Sequence, residues 1–313
     1  MSLKKFKLMG KLYLYRLNNG IPHHYERLHD NSIIEYPIVE EYKLKWKLNL
    51  LLFIVTFATT TLFAPSYGDT TTDIIINGLP YSITLMTILL FHEFGHFFAA
   101  RRFNVKSTLP FFIPFPSIIG TMGAIIKTKS PIPHTKALFY IGSMGPLPGF
   151  IVSLFASLIG VYLSEVKQIP TGDGIYIQLG DSILFSAIVH LIHGEIQPGL
   201  DLFLHPIAWA GWIGFLITSL NLMPLGQLDG GHILYSLIGK KQRYAGWICL
   251  CALVVLSFIW PGWAVWVFMT LFLLMVAHPP VRQVPLSLKE KITGWLCMII
   301  FILTFIPVPV QIG

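Results

Sequence analysis

Residues 91–105 read FHEFGHFFAARRFNV, which sets His92 and His96 four residues apart with Glu93 directly after the first imidazole. Positions four apart on a helix share one face. The two imidazoles can therefore hold one zinc ion, with the carboxylate as general base toward an attacking water. Hydrolytic zinc sites use three protein ligands and keep a fourth position open, so another ligand is required. The only other acid in an apolar stretch is Asp229, in NLMPLGQLDGGHIL (221–234), where Pro224, Gly226, Gly230 and Gly231 interrupt helical continuity. Broken backbone at membrane depth is tolerated where it lines a cavity or packs against protein. One Zn2+ per chain, with Glu93 and Asp229 anionic and His92 and His96 neutral, gives a set whose charges cancel, as a low-dielectric setting favours.

The elements that must position these groups are membrane spans. Of 313 residues, 54% are hydrophobic and 12% charged, about half the charge of an ordinary globular domain; mean hydropathy is +0.67. A chain so poor in charge cannot cover a soluble surface, which excludes a disordered chain, a disulfide scaffold and a conventional cytosolic enzyme. A spanning helix needs ~20 mainly apolar residues, and seven segments qualify: 48–64, 81–100, 137–163, 206–225, 244–260, 263–277 and 292–309. Ionisable groups inside such segments cost ~2.5 kcal/mol or more each and mark function.

The net charge of +7 is a topological signal and points to no nucleic acid. Of the 22 Lys and Arg, 21 fall in alternate inter-span segments, which places the N-terminus in the cytoplasm and the C-terminus outside. The long basic stretch before the first span suits a retained anchor better than a cleaved signal peptide. The expected organisation is a cytoplasmic N-terminal segment (1–47), a membrane core carrying both motifs (48–238) and C-terminal spans (239–313). Cys249, Cys251 and Cys297 all lie in apolar stretches and offer neither a disulfide framework nor a metal site.

HEFGH inside a span, followed about 130 residues later by Asn221, Pro224 and Asp229 in NLMPLGQLDGG, resembles the site-2 protease family of intramembrane zinc metalloproteases. The likeness runs over about 81–238. It implies His92, His96 and Asp229 as zinc ligands, Glu93 as general base, and Asn221 as a residue that holds the substrate carbonyl or tetrahedral intermediate. It also implies transmembrane protein substrates cut within the bilayer, in a multi-pass protein of a bacterial-type cytoplasmic membrane. Family members often carry a PDZ domain between the motif-bearing spans. The 164–205 loop is too short for one, so the chain resembles a compact, PDZ-less member. The readings from other classes are a metal transporter and a non-proteolytic pseudoprotease; transporters commonly show paired repeats, and neither motif recurs here.

Residues 109–126, LPFFIPFPSIIGTMGAII, are apolar enough to span, but Pro110, Pro114 and Pro116 preclude a continuous helix. The expected form is a re-entrant extended segment whose backbone around Gly120, Thr121, Met122 and Gly123 offers a strand edge to an unwound substrate. The fold class is thus an all-α polytopic membrane protein with about seven transmembrane helices and a re-entrant extended or β segment near the active site. His190 and His193 read as the polar face of a short interfacial helix. His134 and His278 read as loop residues, and His232 as a helix-surface or supporting group.

Overall fold

A computed structural model describes residues 4–8, 11–18, 21–27, 33–37, 46–64, 70–169, 177–275 and 281–312, in two compact units, Met1–Leu44 and Lys45–Gly313. The first unit is an antiparallel meander of β1 (Lys4–Leu8), β2 (Lys11–Asn18), β3 (Ile21–Arg27) and β4 (Ile33–Pro37), in sequential order with Leu8 opposite Lys11 and Asn18 opposite Ile21. This corrects the all-α expectation. Its source is legible in KLYLYRL, residues 11–17, where Leu and Tyr alternate within a charged stretch at the period of a strand.

The second unit begins with α1 (Trp46–Leu62) and α2 (Thr71–Arg102), then a hairpin of β5 (Phe111–Pro114) and β6 (Thr121–Ile125). It continues through α3 (Thr135–Ser143), α4 (Pro146–Tyr162), β7 (Glu165–Gln168), β8 (Ile177–Leu179), α5 (Ile183–His193), β9 (Leu200–Phe203), α6 (Pro206–Leu222) and α7 (Asp229–Ile238). A 3-10 turn (Gly239–Lys241) leads to α8 (Gln242–Ile259), α9 (Trp263–Met275), α10 (Leu288–Thr304) and β10 (Val310–Ile312). Among the described residues, each of the seven apolar segments contains helix. Among the described residues, three helical stretches are long and apolar enough to cross a membrane: Thr72–Arg102, Thr135–Tyr162 and Asp229–Ile259.

Two of these are broken. The stretch read as one span over 137–163 is α3 and α4, separated at Met144 and Gly145, because Pro146 and Pro148 start a new helix where proline's missing N–H costs nothing. The third breaks at Gly239, whose φ of 64° ends α7. Helix α2 begins earlier than expected, where Thr70 and Asp73 form a reciprocal capping box. Short ladders add further strand content: β7 pairs antiparallel with β9, and β8 with β10.

The core is the packing of α2, α4 and α6. Small residues permit it: Gly211 and Gly214 of α6 rest on Ser157 and Ser153 of α4, and Gly160 on Ala208. Close backbone approach is how helices gain contact where lipid removes the hydrophobic incentive to associate. Tyr81, Leu85, Trp212 and Phe215 fill the interior, while Phe258, Phe268 and Ile248 stand exposed, as lipid-facing residues would.

Candidate metal centre

Helix α2 supplies three groups from one turn: His92, Glu93 and His96, all buried. The fourth comes from the turn between α6 and α7. Met223 leaves helical geometry, Gly226 takes φ 43°, and α7 restarts at Asp229, the first residue of the new helix. A carboxylate there faces the positive end of the helix dipole. Gly230 and Gly231 lie against the carbonyls of Leu222 and Leu225, so neither position admits a side chain without moving the turn.

The turn delivers Asp229 to the histidine pair. Its Oδ2 lies 3.5 Å from His92 Nε2 and 3.2 Å from His96 Nε2, and the two imidazole nitrogens are 3.1 Å apart. Ligand atoms ~2.0–2.1 Å from a tetrahedral zinc stand ~3.3–3.4 Å from one another. The donor set therefore fits three vertices of such a site, and His92, His96 and Asp229 form a group that could hold a metal ion.

Surrounding groups orient the ligands. His96 Nδ1 donates to the Ile141 carbonyl at 2.7 Å, which leaves the Nε2 lone pair for the common point. The α3–α4 break presses against α2: the Met144 carbonyl meets Gly95, Gly145 meets the His96 ring, and Gly149 meets His92. Gly95 thus admits a neighbouring backbone, as its lack of a side chain allows. Ile141, Gly145 and Gly149 were not legible as site residues; the one sequence signal is the glycine–proline cluster GPLPG at 145–149.

The backbone N–H of Ile126, just past the end of β6, lies beside the Glu93 carboxyl. The 109–126 segment is thus built around a hairpin, β5–β6, that packs against α1 and α2. Its sheet contains β5 and β6 alone, so the outer edge of β6 has no strand partner among the described residues. Met122 is 68% exposed on that strand, Thr121 Oγ1 donates to the Ile113 carbonyl, and Gly123 has open space where a side chain would be. The Asn221 amide donates to the Ile217 carbonyl one turn back, at 3.0 Å. His193, on α5, the expected short helix, donates to the Val161 carbonyl of α4, and His134 caps α3 by accepting from Ala137 N–H. His278 lies outside the described residues.

A family model for peptidase family M50 matches residues 80–259, which include both motifs and more than half of the chain. The chain belongs to peptidase family M50. This is the site-2 protease family, membrane-embedded and zinc-dependent, and zinc is accordingly the metal the donor set fits. Relatives of this M50 chain include "Probable zinc metalloprotease EGY2, chloroplastic" of Arabidopsis thaliana, 33% identical over 175 residues, 54% of this chain and 30% of the relative. "Probable zinc metalloprotease EGY1, chloroplastic" of Oryza sativa subsp. japonica is 34% identical over 174 residues, 54% of this chain and 29% of the relative. "Probable zinc metallopeptidase EGY3, chloroplastic" of Arabidopsis thaliana is 27% identical over 208 residues, 61% and 36% of the two chains. The M50 chain thus spans about a third of the length of these relatives. No solved structure matches it.

Proposed function

We propose that this chain is an intramembrane zinc metalloprotease that hydrolyses peptide bonds within transmembrane segments of membrane-protein substrates, near their cytoplasmic side. The observation that carries the reading is the convergence of two imidazoles from α2 and one carboxylate from α7 at tetrahedral spacing, with a second carboxylate on the adjacent residue. In this reading His92, His96 and Asp229 hold the zinc, and bound zinc supplies Lewis acidity toward the scissile carbonyl and the attacking water. Glu93 takes the water's proton and passes it to the leaving amine. Asn221 turns from the Ile217 carbonyl to donate to the substrate carbonyl, a rotation the side chain makes without disturbing α6. A transport role has no use for a general base next to a ligand, and membership of a peptidase family favours hydrolysis over transport or mere holding.

Substrate presentation follows from the hairpin. A peptide bond in a transmembrane helix is shielded by its own hydrogen bonds, so the helix must unwind before water attacks. The free edge of β6 at Thr121, Met122 and Gly123 is suited to receive the unwound strand, with Gly120 at the turn. The seven apolar helices are proposed as seven spans, N-terminus cytoplasmic and C-terminus outside by the distribution of Lys and Arg. The proposed membrane is a bacterial-type cytoplasmic membrane; the relatives' names say chloroplastic of those proteins. The proposed organisation keeps 1–47 as a cytoplasmic segment, 48–238 as the catalytic core and 239–313 as accessory spans, although the family match extends to 259.

The test uses the full chain in lipid nanodiscs with a designed single-pass substrate, with and without a zinc chelator and beside Glu93→Gln and Asp229→Asn. Cleavage within the substrate span, abolished by chelation and by both substitutions, is the expected result. Glu93→Gln should retain zinc and Asp229→Asn should lose it. Wild-type cleavage by Glu93→Gln, or intact zinc binding by Asp229→Asn, would overturn the assignment.

A further inference from the structure

Helix α1 lies N-terminal to the residues matched by the family model, and its sequence is unusual for a lipid-facing span. One face carries Asn49, Thr56 and Thr60, all buried, while Leu50, Leu51 and Ile54 are exposed. The buried face meets the β5–β6 hairpin and α2, with Thr60 Oγ1 against Ser82 Oγ at 2.5 Å. Asn49 Nδ2 donates to the Leu109 and Pro110 carbonyls at 3.0 and 2.8 Å. Ten residues on, Thr59 Oγ1 donates to the Gly120 carbonyl at 2.7 Å, and Tyr81 of α2 donates to the neighbouring Ile119 carbonyl at 2.9 Å. Between these anchors Phe53 meets Phe112 edge to face, with ring centroids 5.2 Å apart.

Two of these carbonyls precede β5 and two lie in the connecting turn, outside the β5–β6 ladder; the Gly120 carbonyl also accepts from the Phe115 N–H at 3.2 Å, so Thr59 is its second donor. At membrane depth each needs a partner. The spacing also agrees. Ten helical residues rise about 15 Å, and the strand from Pro110 to Phe115 extends about 17 Å. Gly120, with φ 78°, lies flat on the α1 backbone at Thr59 and Thr60, where no side chain fits. The hairpin is thus fixed at both ends against one straight helix, and its free edge and the Ile126 N–H are carried along with it.

We propose that α1 is a ruler that sets the depth of the hairpin relative to the metal centre, with Asn49, Thr59 and Tyr81 as positioning residues that select which peptide bond is presented to Glu93. This rests on the protease reading above. Thr59→Val and Tyr81→Phe each remove one donor and almost no volume, and Thr59→Ser restores the donor. The expected result on an intact transmembrane substrate is a roughly three- to tenfold fall in kcat/KM for each of the first two variants. The cut should also spread to neighbouring bonds, zinc content should be unchanged, and a short unstructured peptide should be cleaved at the wild-type rate. Thr59→Ser should keep both rate and cut site. A single unshifted cut at wild-type rate in Thr59→Val, an equal loss on both substrates, or a Thr59→Ser variant no better than Thr59→Val would overturn the proposal. If the wild-type protein cleaves neither substrate, the protease reading itself fails. Hydrogen exchange over 109–126 then decides the clamp: faster exchange in Thr59→Val and Tyr81→Phe than in Thr59→Ser supports it, and identical exchange overturns it.

Discussion

Substituting Gly145 by alanine tests the architecture of the metal centre without touching any candidate ligand. Gly145 caps α4 with φ −84° and ψ −64°, a conformation open to every residue, so backbone strain plays no part. At an N-cap alanine is the poorer residue by about 1 kcal/mol or less. The larger effect must come from the space the new methyl requires. It would lie 2.5 Å from His96 Cδ2 and nearer still to Nε2 and Cε1, whereas ordinary contact begins at 3.4 Å. Either the ring or α4 must move by about 1 Å or more, and α4 is blocked because the Met144 carbonyl already rests on Gly95. Zinc–ligand distances tolerate only about 0.2 Å, so His96 should leave the coordination sphere. Loss of an orienting contact alone lowers metal affinity about 10–100-fold, and Gly145→Ala should do at least as much. Gly149→Ala gives the graded comparison, since its methyl would be 3.2 Å from His92 Cβ and Nδ1, a conflict of a few tenths of an ångström. Zinc per chain, measured by mass spectrometry after equilibration of nanodisc-embedded protein at buffered free zinc, should fall in the order wild type, Gly149→Ala, Gly145→Ala, with cleavage following. A Gly145→Ala protein that binds zinc at the wild-type midpoint and cleaves at the wild-type rate would refute the placement of α4 against His96.

Three further outcomes follow from named contacts. Acidification should release zinc, because protons compete for the imidazoles and the Asp229 carboxylate; metal content across a pH series measures this, and full retention at pH 4 would contradict the donor set. Glu290 lies in the first turn of α10, ahead of its apolar stretch. Burial alone would raise its carboxyl from the usual 4.5, but hydrogen bonds from Lys136, Ser287 and Tyr140 outweigh burial and hold it down at about 2. A depressed carboxyl stabilises the fold above pH 4.5 and loses that contribution as pH falls toward 2; the Tm advantage of wild type over Glu290→Gln, a few degrees near neutrality, should shrink across that window. Trp263 Nε1 donates to the Pro307 carbonyl at 2.6 Å, so Trp263→Phe should loosen the segment leading to β10, cost about 1 kcal/mol, and speed hydrogen exchange over 306–312.

What the sequence disclosed and what it concealed divide along a physical line. His92, Glu93 and His96 could be grouped because helical periodicity fixes neighbours within a turn, and Asp229 could be joined to them because an unpaired buried charge demands a partner. Both arguments concern charge, and charge is written in residue type. Shape is not. The break between α3 and α4 disappeared into one apolar stretch over 137–163, since hydropathy sums composition and is blind to a change of direction; Pro146 and Pro148 were its only trace. The break brings Ile141 O to His96 and Gly145 beneath its ring, yet a backbone carbonyl has no residue type and a glycine announces only the absence of a side chain. The same holds for α1, where threonine and asparagine barely lower an apolar average and their partners are carbonyls sixty residues away. In a membrane, where unsatisfied carbonyls are costly, polar residues on one face of an otherwise apolar helix are therefore best read as half of a hydrogen-bond inventory. The other half is to be sought in the nearest segment that prolines keep from being a helix, here 109–126.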